Sequence, residues 1–160
     1  MDWHAARESR SHAFKKAFRL MCGPELRARQ TAGLFGSEME IVSALRDYDR
    51  GRWHGARIDD LQISEPAALQ AWLDNPELSP HGGESRVQLC HRVAAWLATL
   101  ESTPGHIIAI THPDVIRAAL TQVLRSAAFN DIDVEPLSAI ELRFNGRWRL
   151  RLSSDEAQGI

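Results

Sequence analysis

Between Gly105 and Leu120 the chain reads GHIIAITHPDVIRAAL, and its hydrophobic period changes part-way. Ile107, Ile108, Ala109 and Ile110 form the short apolar run expected of a strand buried on both faces. Thr111, His112, Pro113 and Asp114 interrupt it, after which Val115, Ile116, Ala119 and Leu120 return at helical spacing. Proline suits a first helical position, where its missing N–H costs little, and Thr111 is the expected cap. His112 is thereby placed where a buried strand ends and a helix begins. Open α/β sheets bind ligands at such ends, and a helix N-terminus favours anions.

The same grammar occurs earlier in the chain. Phe18 to Cys22 reads as a strand, Gly23-Pro24-Glu25 supplies the turn and helix start, and LRARQTAGLF continues as a helix that Gly36 can end. Two strand, turn and helix units predict a parallel sheet. Upstream, Trp3, Ala6, Ala13, Phe14 and Ala17 place a helix over Asp2 to Lys16. Downstream, Met39, Ile41 and Val42 suggest a strand, and LRDYDRGRWHG reads as a charged loop. Ile58 to Ile63 and Glu65 to Leu73 read as short helices. NPELSPHGGES leads to the longest helix, Glu84 to about Leu100, striped by Leu89, Val93, Trp96 and Leu97. Ala139 to Phe144 and Arg147 to Leu152 alternate around Asn145-Gly146, a strong hairpin signal, and the last few residues read as loose.

Composition narrows the function classes. A chain of 160 residues suits one domain with a real core, and 44% hydrophobic with 25% charged residues is ordinary for a soluble protein. A net charge of −2 lacks the basic footprint of a nucleic-acid binder. Cys22 and Cys90 make neither a disulfide framework nor a metal-ligand spacing, and read as buried thiols of a reducing compartment. No apolar run approaches the roughly 20 residues of a membrane span, and no signal-peptide core opens the chain. The expectation is a cytoplasmic protein with no metal or cofactor.

Two residues carry candidate chemistry. His112 has the position described above, against which stands the simpler role of a histidine bonding to backbone at a strand end. Arg27 lies in the first turn of its helix, where a cation opposes the helix dipole unless it shares an anion there. Its planar fork matches phosphate bidentately. A solvated arginine like Arg29 is the alternative.

At these positions the chain resembles the histidine phosphatase superfamily, the phosphoglycerate-mutase-like proteins. CGPELRARQTA, Cys22 to Ala32, is similar to that family's S-P-x-x-R-A-x-Q-T-A, with Arg27 at its phosphate-binding arginine. LRDYDRGRWHG, Leu45 to Gly55, resembles L-x-E-x-x-x-G-x-W-x-G and puts Asp47 at the acidic, proton-donating position. PHGGES resembles P-G-G-E-S, and THPDVIRAAL resembles T-H-G-x-x-I-R-x-L-L, with His112 at the second phosphate-pocket histidine. The resemblance implies a three-layer αβα sandwich, a mostly parallel central sheet with helices on both faces, a C-terminal hairpin, and a small phosphorylated molecule or phosphate as ligand.

Departures from the family pattern shape the functional reading. The nucleophilic histidine belongs to an Arg-His-Gly triplet ending a first strand, yet only 26 residues precede Arg27. The chain therefore reads as a single domain that is N-terminally truncated relative to the family. His4 and His12 fall on the predicted first helix, and His54 and His81 on loops near the pocket mouth, none in a nucleophile position. Asp47 is one methylene shorter than glutamate, Gly23 replaces serine and Pro113 replaces glycine. Three readings stay open: a phosphomonoesterase acting through phosphohistidine, a non-catalytic pseudophosphatase with an anion-binding or interaction role, and a degraded or truncated protein stabilised by assembly. A missing first strand beside the one ending at Thr111 predicts that the sheet closes up directly, or that a second chain, as in a homodimer, covers the exposed surface.

Overall fold

Leu20, Met21 and Cys22 are buried residues of a strand whose neighbours on both sides are parallel. In the computed structural model, which describes residues 18–126 and 128–152, this strand, β1 (Phe18–Cys22), lies between β2 (Glu40–Ile41) and β3 (His106–Ile110). The predicted helix over Asp2 to Lys16, with His4 and His12, lies outside the described residues, as do the last eight residues. Cys22 pairs with Ile41 on one side and with Ile110 on the other. Both partners enter the sheet by crossover connections, as parallel strands require.

Helices cover both faces of this sheet. On one, α1 (Leu26–Ala32) contributes Ala32, which packs with Leu20, Cys22, Ile108 and Ile110. On the other lies the main core, drawn from α2 (Ile58–Ser64), α3 (Pro66–Asp74), α4 (Arg86–Leu100) and α5 (Pro113–Leu124), where Leu61, Leu69, Leu89, Val93, Val115 and Ala118 are buried together. The hairpin of β4 (Glu141–Phe144) and β5 (Trp148–Arg151) is antiparallel, turns at Asn145-Gly146 and forms a separate sheet. Its Leu142 and Trp148 pack on the main core. The chain is thus α/β, with a parallel sheet between helical layers and a C-terminal hairpin.

Local chemistry moves some boundaries away from the sequence reading. α1 begins at Leu26 rather than Pro24, with Glu25 as its N-cap residue, and ends at Ala32 rather than Gly36. Pro113 opens α5 as expected, but the N-cap is His112, and the Thr111 hydroxyl instead donates to the Leu45 carbonyl at 2.7 Å. Ser85 and Gln88 form a reciprocal capping box at the start of α4. The stretch read as loop between Leu45 and Gly55 is pinned by a 3-10 turn at Gly51–Trp53. Gly51 has φ +47°, and a Cβ there would meet the His81 carbonyl at 2.2 Å, so only glycine lets the two loops lie together.

β3 is not the strand buried on both faces that its apolar run predicts. Ile107, Ile108, Ala109 and Ile110 all retain partial exposure although alternate residues face the two clusters. The reason is topological: β1 pairs with β3 on one side, and β3 is the last strand of that sheet among the described residues.

Candidate active site

The site is assembled where β1 and β3 end. Gly23 donates its N–H to the Ile110 carbonyl, and the chain then turns through Pro24 and Glu25 into α1, placing Arg27 in its first turn with a largely exposed side chain. His112 follows β3 and is 3% exposed. Asp47 arrives on the segment after the 3-10 turn at Ser43–Leu45. That segment is tied to the sheet by Thr111 on the Leu45 carbonyl and to α4 by Arg92. The Arg92 guanidinium donates to the carbonyls of Ala44, Arg46 and Asp47, and pairs with buried Glu84 at 2.7 Å. The segment carrying Asp47 is therefore held from below.

Arg27, Asp47 and His112, the residues expected to bind a phosphoryl group and donate a proton, are brought together. The Arg27 guanidinium forms an ion pair with Asp47 Oδ2. The same oxygen lies 3.7 Å from His112 Nδ1, and Asp47 Oδ1 accepts the Tyr48 N–H at 2.8 Å. Beside Arg27 and Asp47 opens a cleft of about 650 Å³, lined also by Glu25, Gln30, Arg46, Asp49 and His54, while His112 is buried behind this lining.

A residue that the sequence did not single out stands in the centre. Glu25 Oε2 is 2.8 Å from His112 Nε2, while Glu25 Oε1 accepts the Asp47 N–H at 2.9 Å. Burial pushes this carboxyl up, but the Asp47 amide and the His112 ring outweigh it and hold its pKa below the usual glutamate value. The available signal was an acid beside a helix start, which the dipole explains without any site. Gly23 belongs to the same arrangement. A Cβ at Gly23 would meet the Leu45 carbonyl at 2.7 Å and Glu25 Oε2 at 2.8 Å, so the serine usual at this place would collide with both.

The two loop histidines separate. His54 reaches the cleft, whereas His81, expected near its mouth, is 2% exposed inside a box of Tyr48, Trp53 and Trp72. Among the described residues the ring of His112 faces two carboxylates, those of Glu25 and Asp47. Among the described residues no group of three His, Cys, Asp or Glu side chains is placed to hold a metal ion, and no helix is long and apolar enough to cross a membrane.

A sequence profile of the histidine phosphatase superfamily (branch 1) matches residues 3–156. The chain belongs to the histidine phosphatase superfamily. Among curated members, the glucosyl-3-phosphoglycerate phosphatase of Mycobacterium tuberculosis H37Rv is 30% identical over 142 residues, which is 83% of this chain and 63% of that protein. The enzyme of the same name from Mycolicibacterium vanbaalenii is 37% identical over 57 residues, 36% of this chain and 25% of that protein. The chain thus spans less than two thirds of the length of these relatives. Solved histidine phosphatases share the fold. Mycobacterial glucosyl-3-phosphoglycerate phosphatase complexed with vanadate superposes with a TM-score of 0.77 at 24% identity, covering 92% of this chain and 81% of that one. A putative α-ribazole-5′-phosphate phosphatase of Escherichia coli gives 0.80 at 20% identity over 98% of this chain and 83% of that one.

Proposed function

We propose that Arg27 and His112 bind the phosphoryl group of a small phosphomonoester, that Asp47 is the residue placed to donate a proton to the leaving oxygen, and that hydrolysis is impaired. The observation that carries this reading is the convergence of positions 27, 47 and 112 around one carboxylate, at the end of a parallel sheet. A guanidinium and a buried imidazole suit an anion whose charge they can share. The relatives named for glucosyl-3-phosphoglycerate point to a phosphate ester attached to a sugar as the ligand class, and a related mycobacterial structure holds inorganic phosphate. Impairment is supported by the state of the proton donor: Asp47 is one methylene shorter than the glutamate usual at this place and is engaged by Arg27. Among the described residues the groups facing His112 are likewise carboxylates, which a phosphoryl group would have to displace.

Calorimetric titration with inorganic phosphate and an assay with p-nitrophenyl phosphate test this. Saturable phosphate binding, weakened at least about tenfold in Arg27→Ala and in His112→Asn, is the expected result, with turnover close to background. Rapid turnover lost in both variants would make the protein an active phosphomonoesterase of its family. A folded sample in which neither the native chain nor any variant binds phosphate would remove the site altogether.

A further inference from the structure

Glu25 is bonded to the group that the proposed phosphate would need. We infer that its carboxylate is a built-in competitor, occupying the anion position on His112 and keeping the pocket closed to phosphate until it is displaced. The inference rests on the phosphate-site reading above. Both oxygens of Glu25 are used inside the pocket, one on His112 Nε2 at 2.8 Å and the other on the Asp47 amide at 2.9 Å. A bound phosphate oxygen would seek such donors, and here a side chain already satisfies them. Arg27 is neutralised in the same state, because its guanidinium is paired with Asp47. The charges of the cleft agree: Glu25, Asp47 and Asp49 stand against Arg27 and Arg46.

Gly23 leaves space beside this carboxylate. A Cβ at position 23 would meet the Leu45 carbonyl at 2.7 Å, a backbone contact that requires glycine by itself, and the movable Glu25 Oε2 at 2.8 Å. A phosphate entering the pocket must move the carboxylate outward, against its bonds to His112 and Asp47, or accept a like charge a few ångströms away. At an effective dielectric constant of about 20 such a repulsion changes affinity by tenfold or more.

The test is the affinity of the full chain for inorganic phosphate and for orthovanadate at pH 7.5, by calorimetry, in the native sequence, Glu25→Gln and Glu25→Ala. Removing the carboxylate is expected to tighten phosphate at least about tenfold in Glu25→Ala, and by less in Glu25→Gln, which keeps the bulk and loses the charge. Adding Arg27→Ala to Glu25→Ala should reverse the gain. Equal or weaker binding in both single variants, with phosphate still bound by the native chain, overturns the competitor role and leaves the phosphate site standing. No phosphate binding in any folded variant overturns both. Should Glu25→Ala not fold, the direction of the Glu25→Gln change decides.

Discussion

His81 shows how one residue can link loop packing to pH. Its Nδ1 accepts the Gly83 N–H at 3.0 Å, so the neutral ring carries its proton on Nε2, which is buried with no hydrogen-bond partner among the described residues. Burial, with Arg50 and Arg52 nearby, lowers its pKa, and only Asp49 opposes this. The fold therefore favours the neutral ring. Its stabilising effect is complete above the unfolded-state value of about 6.5 and declines as pH falls below it, because the unfolded chain then binds the extra proton. Urea midpoints should fall between pH 7 and pH 5, and His81→Phe should flatten that dependence. An unchanged slope in the variant would assign the titration to other groups. The sequence revealed His112, Arg27 and Asp47 because motif spacing carries them. It did not reveal the enclosure of His81 or the inward turn of Glu25, because both are set by residues distant in sequence: Trp72 for one, Asp47 and His112 for the other.

Among the elements, α4 has the widest influence on the site although none of its residues is expected to touch ligand. Arg86, 6% exposed, donates to the carbonyls of Trp72 and Leu73 at 2.8 Å and so satisfies the C-terminal end of α3. One turn and a half further on, Arg92 holds the carbonyls on either side of Asp47 while paired with Glu84, the two side chains being 10% and 8% exposed. Removing one partner of such a pair leaves a buried charge uncompensated, at a cost of about 3–5 kcal/mol. Arg92→Ala should lose stability on that scale in chemical denaturation and, at temperatures where it stays folded, should also bind phosphate more weakly. A variant as stable as the native chain would show the tether to be dispensable. The helix itself was legible from its apolar stripe, and β1 and the hairpin from period and turn residues. Arg92 was hidden within that helix, since a charged residue among apolar ones reads as a solvated face until its partners are known.

At the scale of the whole molecule, the parallel sheet ends, among the described residues, on an apolar strand. Gly23 donates to Ile110, and in parallel pairing this alternation directs the amides of Ile107 and Ala109 away from β1. Amide exchange at Ile107 and Ala109 should be faster than at Ile108 and Ile110; slow exchange at all four would mean that a further strand, from this chain or from a second copy, covers the edge. The apolar run of β3 overstated its burial, because hydrophobicity records which faces a strand covers and not whether its edge is paired. Tyr48, next in the chain to Asp47, bonds through its hydroxyl to the Trp72 indole at 3.1 Å, and Trp53 packs on the same group. Whatever moves the carboxylates of the cleft thus acts on a residue bonded to one indole on which a second packs, giving the pocket its own optical reporter, so that occupancy can be followed by intrinsic emission without a label.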